Sequence, residues 1–259
     1  MPELPDVEEY RSRITPALNK EISDVTVTDK DFVGLTGRTM KRHFKGKKFS
    51  MTSRRGKHLF VHTNNHDVVV MHFGMTGEIN LIPKEEDLPE YTKIAWTVED
   101  AKILCYINKR KLGFIEIIQD VDKYTDDKEL GKDALEFSSK EFIKSIRTKS
   151  SAIKSALTDQ SLIAGIGNVY ADEILFQCGI YPGRKVDDFT DDALADIFSK
   201  MRDVLMTAIK KHADVDKLPD SYLLPHREEG ADCPSCKGKI KKTKLSGRST
   251  YYCSSCQKK

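Results

Sequence analysis

The chain has 259 residues, 43 Lys and Arg against 40 Asp and Glu, a net charge of +3, 39% hydrophobic residues and 32% charged ones. That length exceeds one typical domain of ~100–150 residues and predicts two or three modules. No apolar run approaches the ~18 residues that span a bilayer, and the first twenty residues lack the apolar core of a secretory signal. A reducing, cytoplasmic setting without membrane contact is therefore expected, nucleoid-associated in a prokaryote, and clustered cysteines read as a metal site before they read as disulfides.

The chain opens MPELPDVEEY. Removal of the initiator Met would leave Pro2 with a free secondary amine. An α-amine has a pKa of about 7.7–8.0, so part of it is an unprotonated nucleophile near neutrality. Glu3 beside it could supply or take a proton. The plain alternative is a frayed leader that contains proline by chance. Val7, Tyr10 or Arg11, Ile14 and Leu18 then fall at helical spacing, with Pro5 suited to a first turn, and predict a helix over 4–18. Eight short apolar-alternating runs follow: EISDVTVT, HFKGKKFSM, KHLFVH, DVVVMHF, GEINLI, KIAWTV, KILCYI and LGFIEII. Short strands at this spacing predict an antiparallel sandwich or barrel. The acidic stretch 120–136 carries few strand formers and reads as a linker.

Beyond it the period changes. EFIKSIR, SAIKSALTD, NVYADEILFQCG and DDALADIFSKMRDVLMTAIKKH read as helices. Within LIAGIGNVYADEILF, Gly165 and Gly167 permit a tight turn with exposed amides, and Asn168 suits an N-cap. Such a turn can hold a phosphate through its amides and the helix dipole, although by itself the motif fits an ordinary helix–helix connection with a capping Asn better. Cys233-Pro-Ser-Cys236 and Cys253-Ser-Ser-Cys256 stand sixteen residues apart, the spacing of a closed four-thiolate zinc site. The stretch between them reads as a hairpin with Arg248 at its tip, folded largely by one structural Zn²⁺. Cys105 and Cys178 sit in apolar runs and read as packed thiols. Residues 41–58 and 237–259 each carry eight Lys or Arg and no acid, which points to a polyanion partner.

Four of these motifs, MPELPDVE, HFGMTG, IAGIGNVYADEILF and the terminal CxxC…CxxC, resemble in this order the formamidopyrimidine-DNA glycosylase and endonuclease VIII family, and ELP resembles the first branch more. The resemblance runs from Met1 to the last Cys. It implies an α+β fold: an N-terminal helix plus antiparallel β-sandwich (1–125), a helical helix–two-turn–helix domain (126–220) and a C-terminal β-hairpin zinc finger (221–259). It implies a monomer acting on double-stranded DNA that contains damaged bases or abasic sites. The activity implied is that of a bifunctional glycosylase and abasic-site lyase, working through a Pro2 Schiff base with β- and δ-elimination.

The site residues follow from the same resemblance. Glu3 matches the acid that opens the sugar ring. Lys57 matches the proton donor in β-elimination, and Arg248 matches the arginine that grips phosphates and assists δ-elimination. Asn168, Lys149 and Lys154 match backbone-contacting positions. Met75 matches the wedge that fills the gap left by a flipped base. Arg110, Lys111, Leu112 and Gly113 stand in place of the family's Arg-Arg-Phe-Gly. Leu112 thus replaces an aromatic ring, and Tyr91 stands where many relatives have a DNA-contacting His.

Residues 212–232 lack both the longer Gly- and Ser/Thr-rich loop that closes over 8-oxoguanine and the Tyr-Gly-Arg segment before the first zinc Cys. Weakened 8-oxoguanine recognition is the expectation. Two alternatives stand beside it: an endonuclease VIII-like enzyme for oxidised pyrimidines, and a non-catalytic zinc protein that binds damaged DNA.

Overall fold

The structure, a computed structural model, describes residues 1–258 and folds them into two compact units. One comprises Met1–Pro2 and Asp6–Lys128; the other comprises Glu3–Pro5 and the chain from Glu129 onward. Helix α1 (Leu4–Ile14) serves both: Leu4 is buried in the core of the second unit, Val7 and Ile14 in that of the first. The helix expected over 4–18 stops at Ile14, where Thr15–Ala17 tighten into a 3-10 turn. Pro16 there has no N–H to continue the α ladder.

The first unit continues with β1 (Ile22–Val27), α2 (Lys30–Val33), α3 (Gly37–Phe44), β2 (Phe49–Arg55), β3 (His58–Thr63), β4 (Val68–His72), β5 (Gly77–Pro83), β6 (Thr92–Val98), β7 (Lys102–Asn108), β8 (Phe114–Ile118) and α4 (Val121–Asp127). Its strands form two antiparallel sheets, ordered β1-β6-β7-β5 and β2-β3-β4-β8. Inward residues of both sheets, among them Val25, Ile79, Trp96 and Leu104 from one and Leu59, Val61, Val69 and Met71 from the other, share one core. Of the sandwich and the barrel, the sandwich is the architecture found. HFKGKKFSM, expected as a strand, is split: His43 and Phe44 end α3, and β2 starts at Phe49. Only Met40 and Phe44 of α3 are buried, a single helical turn of apolar period. The expected linker 120–136 contains α4, capped by Asp120 and anchored by buried Tyr124 against Phe60.

The second unit contains β9 (Lys132–Asp133), α5 (Ser139–Ile146), α6 (Ile153–Leu157), β10 (Ile163–Ala164), α7 (Asn168–Gln177), α8 (Asp191–Lys210), β11 (Ile240–Leu245) and β12 (Arg248–Cys253). A Ser138–Glu141 capping box starts α5. Helix α7 is buried continuously from Tyr170 to Phe176, so it forms the centre of the unit with α8 and β12 against it. The helical and zinc modules both lie within this one compact unit. Cys105 is fully buried and Cys178 packs against the helical core, as their apolar surroundings predict. No helix among the described residues is long and apolar enough to cross a membrane.

Candidate active site and metal centre

In the first unit, α1 brings the N-terminus to the β4–β5 turn. Tyr10 stacks on Phe73 with centroids 4.6 Å apart, and its hydroxyl donates to the Gly77 carbonyl at 3.1 Å. Pro2 is buried, while Met1 beyond it is 53% exposed. Pro2, Asp6, Tyr10, Met75, Gly77 and Glu78 line a recess of about 250 Å³. Two of the residues expected to act on DNA from this unit, Pro2 and Met75, thus share one hollow.

The residues expected to act as wedges gather at the same turn. Gly74 adopts φ +60°, and a Cβ there would lie 2.4 Å from the Leu112 carbonyl carbon. This close approach sets the β4–β5 turn directly on the β7–β8 loop. Tyr106 Oη donates to His72 O at 2.8 Å and Asn108 Nδ2 to Phe73 O at 3.2 Å, which fastens the turn to the end of β7. Arg110 N donates to Thr76 Oγ1 at 3.0 Å, and its guanidinium lies 3.2 Å from Met75 Sδ. Met75 and Leu112 are 42% and 52% exposed, so neither is core packing. Lys111 turns away from them to Asp29, at 2.7 Å. That bond, helped by Lys93, holds the Asp29 carboxyl down to about 2. Tyr91, left-handed at φ +63°, exposes its ring with the Lys109 ammonium 5.3 Å from the centroid.

Lys57 follows Gly56 in the β2–β3 turn. Its charge helps to depress His72 and, after larger causes, His58. These two histidines face each other across β3 and β4, with rings 5.0 Å apart. Burial pushes His58 down to about 3 and His72 down to about 4, so both rings are neutral near pH 7. His72 Nδ1 accepts from the Gly74 amide at 3.3 Å, which ties the Lys57 neighbourhood to the wedge turn. Sequence reasoning quoted His72 inside HFGMTG without assigning it this part.

In the second unit, Glu3 is fully buried at the start of α7. Its carboxylate accepts from the amides of Gly167 and Val169, both at 2.8 Å, and of Tyr170 at 3.1 Å, while Leu4 N donates to Gly165 O. The amides of the glycine turn, expected to offer themselves to a phosphate, are taken instead by the chain's own Glu3. Asn168 is not the N-cap expected: Gly167 takes that place and Asn168 is the first helical residue. Its Nδ2 donates to Ser249 O at 2.8 Å, leaving one of two N–H bonds unused by that contact.

Lys154 lies deeper than the other residues expected on the DNA backbone. It is 2% exposed, and its Nζ lies 2.6 Å from Asp172 Oδ1 and 2.8 Å from Thr250 Oγ1. Asp172 replaces solvent around the ammonium and makes burial of the charge tolerable. Lys149 stays partly exposed, paired with Asp159 at 2.9 Å. Arg248 is exposed at the two-residue turn Ser246-Gly247, with Nη1 donating to Thr158 Oγ1 at 2.6 Å.

The four terminal cysteines converge. Their Sγ atoms all lie within 4.8 Å of one another, with Cys233–Cys256 at 3.8 Å and Cys236–Cys253 at 3.6 Å. Thiolates ~2.3 Å from a tetrahedral zinc stand roughly 3.8 Å apart, so the set fits one ion. The amides of Ser235 and Gly238 donate to Cys233 Sγ and Cys236 Sγ at 3.4 and 3.2 Å, the second-layer support such thiolates need. With four protein ligands the site is closed, and zinc there is structural.

Glu173, next to Asp172, was missed by sequence reasoning. Its carboxylate accepts from Gln177 Nε2 and from the amides of Leu223 and Leu224 at 3.2 and 2.8 Å. Burial pushes it up to about 7. The connector after α8 is thereby pinned to α7.

Three family models match in order: the formamidopyrimidine-DNA glycosylase N-terminal domain over residues 1–115, the formamidopyrimidine-DNA glycosylase H2TH domain over 130–218, and the zinc finger found in FPG and IleRS over 232–259. The chain is 31% identical to formamidopyrimidine-DNA glycosylase of Desulforamulus reducens, covering 100% of this chain and 99% of that protein. It is 30% identical to the Haemophilus influenzae protein of that name, over the whole of both. Its fold matches the Lactococcus lactis formamidopyrimidine-DNA glycosylase non-covalently bound to DNA containing an abasic site, with TM-score 0.88, 26% identity, and 99% of this chain and 100% of that one covered.

Proposed function

The chain belongs to the formamidopyrimidine-DNA glycosylase family, and from that premise we propose a bifunctional glycosylase and abasic-site lyase that repairs oxidised bases in duplex DNA. The observation that carries the reading is the recess that Pro2 shares with Met75. Once Met1 is removed, the Pro2 nitrogen attacks C1′ of the damaged nucleotide, the bond from C1′ to the base breaks, and the base leaves with a proton. The Pro2 nitrogen sheds its proton, the C1′–O4′ bond breaks with its electron pair and a proton passing to O4′, and the C1′=N iminium left behind is cationic at every pH and draws electrons from the neighbouring C–H bond. Two eliminations then expel the phosphates on either side. While Met1 remains, the nitrogen is an amide and no nucleophile.

Glu3, held at the α7 N-terminus, is the group that assists sugar opening; Lys57 supplies the proton and Arg248 binds phosphate. Met75 and Leu112 fill the vacated stack, Arg110 meets the orphaned base, and Tyr91, Lys149 and Asn168 contact the strand. Zinc supplies folding energy to the hairpin and no step of the reaction. The short connector pinned by Glu173 supports weakened 8-oxoguanine recognition in favour of abasic sites, ring-opened purines, hydantoins or oxidised pyrimidines. The enzyme works in the compartment that holds the DNA.

The test is borohydride trapping on an abasic duplex. Mature protein should form a covalent adduct, and Pro2→Gly should not. Full-rate strand cleavage by protein still carrying Met1 would overturn the mechanism. Rapid 8-oxoguanine excision at the head of a lesion panel would overturn the substrate preference.

A further inference from the structure

Zinc clamps the base of the β11–β12 hairpin, yet Arg248 stands at its far end. Five residue steps lead from Arg248 to Cys253, roughly 16 Å of extended strand. A two-stranded ribbon is marginally stable by itself, so something else must fix the tip.

Three successive residues next to Arg248 are caught by side chains of the helical part of the same unit. The Ser249 carbonyl accepts from Asn168 Nδ2 at 2.8 Å and from Lys154 Nζ at 3.3 Å. Thr250 Oγ1 accepts from Lys154 at 2.8 Å. The Tyr251 amide donates to Asp172 Oδ2 at 3.2 Å. That same Oδ2 accepts from Arg227 Nε and Nη2 at 3.0 and 2.7 Å, and the guanidinium lies 4.4 Å from the centroid of the Tyr251 ring. Asp172 is fully buried and stands between two cations, Lys154 and Arg227. Glu3 acts on Lys154 as a further negative charge, so two anions face two cations. An uncompensated buried charge would be costly; this cluster is balanced and hydrogen-bonded.

The cluster also joins hairpin to connector. Consecutive residues of α7 divide the work: Glu173 holds the amides of Leu223 and Leu224, and Asp172 holds Arg227 three residues later.

We propose that Asp172 and Arg227 are positioning residues that register Ser249–Tyr251 on α7 and so aim Arg248 at its phosphate. The inference rests on the lyase reading and deepens it. Neither residue touches substrate; both act through the hairpin backbone. A group displaced by about 1 Å can lose on the order of a hundredfold in rate. The step affected is the one assigned to Arg248, the second elimination.

Arg227→Met is the informative variant, because Asp172 keeps Lys154 as its partner and no buried charge is stranded. Wild type on abasic duplex must first give the trapped adduct and both elimination products; absence of either sinks the lyase reading and not this inference. R227M should keep one zinc per chain and trap as wild type does, while its ratio of δ- to β-elimination product falls at least tenfold. Arg227→Lys, which keeps the charge but loses the two-nitrogen grip, should restore the ratio only in part. A ratio within twofold of wild type in zinc-loaded R227M overturns the proposal. Should R227M lose its zinc, the ratio is read in R227K, and an unchanged value there overturns the proposal equally.

Discussion

Replacing Gly74 by Ala tests the contact that seats Met75 beside Arg110. The substitution has two separable costs. A non-glycine residue at φ +60° loses about 1 kcal/mol to its left-handed backbone. The new methyl would also meet three backbone atoms at 2.4–2.5 Å, the Leu112 carbonyl carbon and oxygen and the Gly113 nitrogen, none of which can swing aside like a side chain. Overpacking of this kind costs about 1–3 kcal/mol. Gly34 provides the control: at φ +70° it pays the same conformational cost, but nothing lies within 4 Å of its would-be Cβ. Both glycines belong to the first unit, so one melting transition reports on both. Scanning calorimetry should show G34A lowered by about 4 °C and G74A by roughly 8–16 °C, at about 4 °C per kcal/mol for a unit of this size. If the two variants melt within a degree of each other, the β4–β5 turn does not rest on the β7–β8 loop and the placement of Met75 beside Arg110 is wrong.

Acid should weaken the first unit through its histidine pair. His58 and His72 have folded pKa values depressed to about 3 and about 4, below the unfolded value of ~6.5, so the unfolded chain binds protons first as pH falls. Stability is full above pH ~6.5 and should drop by about 2 kcal/mol per ring by pH 5, where few carboxylates have titrated; melting curves of wild type and H58Q/H72Q should diverge in slope over that window. Met75→Ala and Leu112→Ala remove exposed side chains, so each should leave thermal stability within about 0.5 kcal/mol yet slow single-turnover base excision at least tenfold, and unchanged excision would argue against a wedge. Chelation of zinc should unfold the β11–β12 hairpin and abolish duplex binding by gel shift, with recovery on adding Zn²⁺ back; binding that survives a verified metal-free state contradicts the closed structural site.

Much of this architecture is legible in the chain because it rests on local period. The alternating runs become the sandwich strands, and the CxxC spacing alone places four thiolates on one ion. What escapes is what has no local period or depends on distant partners. Helix α3 buries just Met40 and Phe44, too little to announce a helix amid eight basic residues of 41–58. The family resemblance gives Lys154 a place on the DNA backbone, and nothing in the neighbouring sequence signals that Asp172 waits to pair with it. Arg227 and Asp172 lie 55 residues apart, and only the packing of connector and hairpin on α7 brings them together. Asn168 fits an N-cap by type, but Glu3, 165 residues upstream, already satisfies the amides a cap would serve.

The anchorage of residues 3–5 has a consequence for biosynthesis. Glu3 leaves the ribosome first, yet its amide partners at 167–170 emerge about 165 residues later. At roughly 5–20 residues per second, that is a delay on the order of 10–30 s. The β-sandwich can fold during that interval with its leading segment unmoored. A truncated or stalled nascent chain therefore leaves the Glu3 carboxylate without its three amide partners, and vectorial translation itself postpones the docking of the leading segment on α7 until the polypeptide is nearly finished.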